Sequence, residues 1–107
     1  MDDSLSPADK MAGLQKLRVG VVILLSQETS KLLSRRQRLS GKEIERMCAE
    51  RDLAADPDSS DVARVRDQVL VEEYAAKTLL EESEDEITRL EQLLSKIQTD
   101  ILALHQA

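Results

Sequence analysis

The sequence is poor in aromatic side chains. Its 107 residues include no Phe and no Trp, and Tyr74 is the only aromatic residue. Sheets favour aromatic and β-branched runs, and one Tyr cannot build a platform for stacked bases, so this composition argues against a β-fold and against single-stranded nucleic-acid binding. A core of Leu, Ile, Val and Ala is typical of helical bundles, where slender side chains interdigitate.

Cysteine and histidine occur once each, as Cys48 and His105. A lone Cys cannot form an internal disulfide and favours a reducing compartment. Neither residue has partners at the spacing of a metal site or a nucleophile–base pair, and no phosphate-binding motif surrounds Gly20. We therefore expect no enzyme activity, no metal and no cofactor. Cys48 is interpreted as a small packing residue, and the acidic run at 81–86 as a helix start rather than a calcium loop.

The chain also lacks targeting and membrane signals. The N-terminal Met1 to Ser4 has no basic or apolar region of a signal peptide, and the longest apolar run, Val21 to Leu25, is far shorter than the roughly 20 residues that span a bilayer. We therefore expect a cytoplasmic protein that does not enter a membrane.

Charge is unevenly distributed along the chain. The net charge is -6, but residues 1–52 carry ten Lys and Arg against eight Asp and Glu, whereas residues 53–107 carry five against thirteen. The only basic cluster is Arg35, Arg36 and Arg38. A net acidic chain with so small a cluster is not expected to bind nucleic acid.

What the sequence does contain is a regular apolar stripe. Near the C-terminus the spacing alternates between three and four residues at Ile87, Leu90, Leu94, Ile97, Ile101 and Leu104, and it extends back through Val62, Val69, Ala76 and Leu80. The first half has a similar pattern at Leu14, Leu17, Val21, Leu25, Leu32 and Leu39, which Ile44 and Met47 are expected to continue. This period predicts an all-α fold with coiled-coil-like packing.

Local signals predict the helix boundaries. Ser6, Pro7 and Asp9 form a helix start, and the segment from Asp56 to Asp61 is a loop in which Ser60 or Asp61 caps the next helix. A second capping pattern, Ser83 with Glu86, predicts a turn near 78–83. We therefore expect one domain over 1–107 with helix 1 at about 7–52, a loop at about 53–61, helix 2 at about 62–80 and helix 3 at about 84–105.

Two architectures are compatible with these signals. The expected one is an antiparallel three-helix bundle; the alternative is a hairpin of two long helices. The alternative is favoured by the absence of Gly and Pro at 78–83 and by a heptad phase that runs through Ser83. Such a hairpin would leave apolar stripes uncovered and would be expected to dimerise. Helix 1 is expected to be continuous, with a weak point at Gly41.

Three segments resemble the tubulin-folding cofactor A family. They are Leu17 to Glu28 with its Gly-Val-Val core, Lys42 to Met47, and Arg66 to Glu72. The similarity extends over residues 14–97, although Thr78 stands where the family commonly has a proline.

The resemblance implies a three-helix bundle that captures β-tubulin folding intermediates or free subunits without ATP, in a cytoplasmic, cytoskeleton-associated setting. The implied partners are β-tubulin and other tubulin-folding cofactors, and the chain would be a monomer or weak homodimer. Because tubulin is acidic, the expected partner-binding residues lie on the first helix: Glu28, Lys31, Arg35, Arg38 and Arg46. The alternative function is that of a structural coiled-coil subunit of a larger cytoskeletal or kinetochore-type assembly.

Overall fold

The protein is all-α. A computed structural model describes residues 5–106, and within that range it contains two long helices and no strand. Helix α1 spans Pro7–Ala55 and helix α2 spans Ser60–Gln106. The predicted all-α class is confirmed. The absence of a signal peptide, predicted from residues 1–4, lies outside the described residues, as does residue 107.

The predicted three-helix bundle is wrong, and the two-helix hairpin fits. The turn expected at 78–83 does not occur, because α2 continues through it without interruption. No Gly or Pro breaks the helix there, and the seam positions Ala76, Leu80 and Ser83 keep their phase into Leu90. Ser83 is not a helix cap but the most deeply buried polar side chain in the described chain, at 1% exposure. The separate helices predicted at 62–80 and 84–105 are therefore parts of α2.

Both helix starts are capped by serine. The Ser6 Oγ accepts a hydrogen bond from the Asp9 amide at 3.1 Å, as the Ser-Pro signal predicted. At the second start the cap is Ser59, whose Oγ accepts from the Val62 amide at 3.3 Å, rather than the predicted Ser60 or Asp61. Pro57 lies in the turn that joins the helices, where the Ser59 amide donates to the Asp56 carbonyl at 3.2 Å.

Helix α1 is longer than predicted and the loop is shorter. The helix ends at Ala55 instead of near residue 52, which leaves only residues 56–59 between the helices. The helix also runs through Gly41 without a break, as expected. A connection this short is sufficient because α1 and α2 are antiparallel neighbours.

The chain divides into two compact units, one of residues 5–29 with 85–106 and the other of residues 30–84. We call them the terminal unit and the turn unit. In the terminal unit, Val21, Leu90 and Ile97 form the buried core. The partly buried side chains that pack on this core are Leu14, Leu25, Leu93, Leu94 and Ile101. The predicted stripe on α2 is therefore the packing face of this unit.

The turn unit has a different core composition. Its buried side chains are the small Ala49, Ala76 and Ser83, and no large aliphatic residue between 30 and 84 is fully buried. Small side chains let two helix backbones approach closely, but they remove little apolar area from water. Polar contacts between α1 and α2 therefore help to determine how the two helices align in this unit.

Candidate partner-binding surfaces

Three basic side chains of α1 contact α2 in the turn unit. The Lys42 Nζ lies 3.4 Å from a carboxylate oxygen of Glu72, and the Arg46 Nε lies 2.7 Å from one of Glu73. The Arg35 Nη1 donates to the Leu79 carbonyl at 2.8 Å and to the Ser83 Oγ at 2.6 Å. We call this set of contacts the polar seam.

Two cations of the polar seam, Lys42 and Arg46, have raised pKa values. Hydrogen bonding to Glu45, together with the charges of Glu45 and Glu72, raises the pKa of Lys42 above its ordinary value despite partial desolvation. Hydrogen bonding to Glu73 and the charge of that residue raise the pKa of Arg46. Ion pairs this accessible to water contribute little stability. Their directional bonds instead favour one register of α1 against α2.

The predicted partner-binding residues fall into different environments. Glu28 belongs to the terminal unit, whereas Lys31, Arg35, Arg38 and Arg46 belong to the turn unit. Arg35 and Arg46 point towards α2 and are half-buried in the polar seam. Arg38 and Lys31 are exposed, and Glu28 is half-buried. Among the three predicted partner-binding arginines, Arg38 is therefore the one that takes no part in the polar seam.

Ile44, Met47 and Cys48 lie on the outside, which corrects the predicted phase of α1. Ile44 and Met47 were expected to continue the inward stripe and Cys48 to pack near it, but all three are exposed. The inward positions there are Lys42 and Arg46. The sequence spacing does indicate that these two positions face inward, because residues 39, 42 and 46 continue the alternation of three and four residues. Sequence reasoning missed it because charged residues rarely occupy such positions without partners.

The segment from Leu17 to Leu24 exposes large aliphatic side chains around most of the helix. Three of them, Val19, Val22 and Ile23, have exposures of 55%, 48% and 52% and lie on the side of α1 away from Leu90. We call these three residues the outer face. Val19 is three and four residues from the other two, so their side chains are neighbours on the helix surface. Adjacent exposed aliphatic side chains of this kind are typical of a surface that contacts another protein.

A groove runs along one edge of the terminal unit. It consists of two adjoining depressions of about 560 and 610 Å³, both bordered by Gly13 and Leu17. Further apolar lining residues are Leu5, Leu14, Gly20, Val21, Leu24, Leu90, Leu93, Ala103 and Leu104. Charged residues border both depressions. Asp9, Lys10 and Asp100 lie at one, and Lys16 and Arg89 lie at the other.

Comparison with known proteins adds no relative. No family model matches the chain, and neither a curated protein nor a solved structure matches it. The likeness to tubulin-folding cofactor A is therefore carried by the three segments named above.

Two further properties concern the described residues only. Between residues 5 and 106, neither helix combines the length and the apolar character that crossing a bilayer requires. In the same range, no three His, Cys, Asp or Glu side chains are grouped so that they could hold a metal ion.

Proposed function

We propose that this chain is an ATP-independent, tubulin-binding chaperone that holds β-tubulin folding intermediates or free β-subunits. The observation that carries the proposal is the exposure of the outer face. These side chains belong to the Gly-Val-Val segment in which the resemblance to cofactor A is most distinctive, and about half of each is accessible to a partner. The proposed role involves no chemical step and no cofactor, and it places the chain in the cytoplasm with the cytoskeleton.

Reversible holding requires binding energy that is moderate. Complete burial of a Val or Ile side chain contributes about 1.5–3 kcal/mol. Because the outer-face residues are already half-buried, a partner that covers them gains about 1 kcal/mol from each. Such contacts alone give weak binding, so a second source of affinity is needed for capture.

Charge is the second source in this proposal. Tubulin is acidic, and Arg38 presents an exposed guanidinium on α1. Arginine forms bidentate hydrogen bonds with carboxylates and is enriched at protein–protein hot spots. Lys31 is also exposed and adds to the positive charge of this stretch. Arg35 and Arg46, by contrast, are proposed to support the surface by holding α1 on α2.

The test is capture of β-tubulin by the full chain under conditions that release free subunits, followed by gel filtration. We expect a complex that contains this chain and β-tubulin without α-tubulin. Val19→Glu is expected to weaken capture at least about tenfold, because it places a charge on the outer face. Val71→Glu is the matched control: Val71 is also more than half exposed, at 64% against 55% for Val19, but it lies on α2 in the turn unit.

The result that would overturn the proposal is a folded chain that forms no complex with β-tubulin at any accessible concentration. Equal capture by the Val19→Glu and Val71→Glu variants would instead remove the outer face as the binding surface. Circular dichroism of both variants checks that helicity is unchanged.

A structural coiled-coil subunit is the second candidate function. It is favoured by the exposed aliphatic and aromatic side chains of the turn unit, among them Ile44, Met47, Val65, Val71 and Tyr74. A subunit of a larger assembly would bury these residues between chains. This function predicts stable oligomers or insolubility of the isolated chain together with indifference to tubulin.

A further inference from the structure

Two helical positions that border the groove hold glycine although a larger side chain would fit there. Gly13 and Gly20 are seven residues apart in α1, and a Cβ built on either would meet nothing within 4 Å. An interior helical Gly costs about 1 kcal/mol relative to Ala. Neither position has a positive φ, so the backbone does not demand glycine. On either side of Leu17, the two glycines leave a helix surface without side chains, to which another helix can pack closely.

The two glycines belong to a regular row of residues along α1. Gly13, Leu17, Gly20 and Leu24 are spaced by four, three and four residues, which places them in one row on α1. Leu17 and Leu24 are about half exposed. The row is separate from the outer face and borders the groove, so it forms a second apolar surface in the terminal unit.

The charges of the groove are arranged for self-association. Arg89 and Asp100 lie eleven residues apart on α2, about 16 Å along the helix, and border different ends of the groove. A second copy related by a two-fold axis near Leu17 runs antiparallel to the first. It therefore brings its Asp100 towards Arg89 of the first copy and its Arg89 towards Asp100. Arg89 also pairs with Glu86 at 2.5 Å, which fixes its side chain on this edge.

We propose that the groove of the terminal unit is a homodimer interface, in which two copies pack their Gly13–Leu17–Gly20–Leu24 rows against each other about a two-fold axis. The symmetry follows from charge. Asp9, Lys10 and Asp100 give one end of the patch a net negative charge, and Lys16 and Arg89 give the other a net positive charge. Both ends therefore meet an opposite charge when the patch packs against itself in reverse. The glycines allow the two α1 backbones to approach, and Leu17 and Leu24 are buried.

Sedimentation equilibrium of the full chain tests the proposal, with Gly20→Gln as the probe and Gly41→Gln as its matched control. Gly41 is also helical and also has open space around its Cα, but it lies in the turn unit. We expect the wild-type chain to dimerise and Gly20→Gln to weaken dimerisation at least about tenfold, because the added side chain separates the helices. Gly41→Gln should dimerise like wild type.

A charge exchange tests the two-fold arrangement itself. Arg89→Asp and Asp100→Arg each place like charges opposite one another in a homodimer, so each variant alone should dimerise about tenfold more weakly. In an equimolar mixture, both contacts of the heterodimer again join opposite charges, and association should return to near the wild-type level. Neither variant is expected to lose helicity, because both residues are at the helix surface.

Three results would overturn the proposal. They are a wild-type chain that stays monomeric up to about 100 μM, dimerisation that Gly20→Gln leaves as tight as Gly41→Gln does, and a mixture of the charge variants that associates no better than either alone. These readouts do not involve tubulin, and capture at the outer face can succeed or fail independently of them.

Discussion

At the scale of single residues, two neighbouring arginines of the predicted binding set, Arg35 and Arg38, have different environments. Arg35 donates two hydrogen bonds to α2, whereas Arg38, three positions later, is exposed. Both occur in the same basic cluster, and only their position relative to the three-and-four spacing separates them. Position 35 continues the row of Leu32 and Leu39, while 38 does not.

Charge reversal distinguishes the two roles. Arg35→Glu removes both hydrogen bonds to α2 and leaves the buried Ser83 hydroxyl without its donor, so we expect the free energy of unfolding to fall by about 1–3 kcal/mol. Arg38→Glu should change stability by no more than about 0.5 kcal/mol, yet weaken β-tubulin capture about tenfold. Urea unfolding and gel filtration give the two readouts. Wild-type capture by Arg38→Glu would exclude Arg38 from the surface.

At the scale of the element, continuity of α2 separates the expected three-helix bundle, which was wrong, from the alternative hairpin, which fits. The capping pattern of Ser83 and Glu86 and the run of acids at 81–86 are local signals for a helix start. They were outweighed by tertiary packing: Ser83 fits between the helices and accepts from Arg35, and the acids around it are carried on a helix that continues past them. Within the same stretch of α2, the Thr78 Oγ1 donates a hydrogen bond to the Tyr74 carbonyl at 3.0 Å.

Much of each helix was nevertheless predictable. The row from Ile87 to Leu104 is the packing face of the terminal unit, and the Ser-Pro start of α1 is capped as the sequence indicated. The polar seam was not predictable from periodicity alone, because a charged residue on a packing face is recognised only when its partner on the other helix is known. The outer face was also missed, because Val19, Val22 and Ile23 lie outside the apolar stripe on which the prediction for α1 rested.

Proline substitution tests the continuity of α2. Ser83→Pro removes a helical hydrogen bond and clashes with the preceding turn, so we expect a loss of about 3 kcal/mol or more. Ser60→Pro is the control, since proline is tolerated at the first position of a helix. Thermal unfolding followed by circular dichroism compares them. A Ser83→Pro variant as stable as the Ser60→Pro variant would contradict an uninterrupted helix.

At the scale of the whole molecule, the two units are stabilised by different chemistry. The terminal unit buries Val21, Leu90 and Ile97, and it exposes both the outer face and the groove. The turn unit fully buries only small residues, and the polar seam favours one register of its two helices. Solution conditions that change the charge of Lys42 should therefore act on this unit.

Alkaline pH is such a condition. The pKa of Lys42 is raised in the folded protein, so the folded chain holds this proton more tightly than the unfolded chain does. The stabilisation is complete below the unfolded pKa of about 10.4 and is lost as pH rises through the higher folded pKa. The difference in unfolding free energy between wild type and Lys42→Gln should therefore shrink above about pH 10.5. Denaturation at pH 8, 10 and 11 measures it, and a difference that does not vary with pH would contradict the assignment.

The position of the turn at residues 56–59 also has a consequence for the order of events during synthesis. Seam contacts of the turn unit join residues 27 to 48 positions apart, but Val21 meets Leu90 across about 70. A ribosome adds about 5–20 residues per second, so the segment from Leu17 to Leu24 waits roughly 3.5–14 s for its partner on α2 to be made. The most apolar stretch of the chain thus emerges early and is paired late. We expect it to be the part of the nascent protein that most needs protection from aggregation.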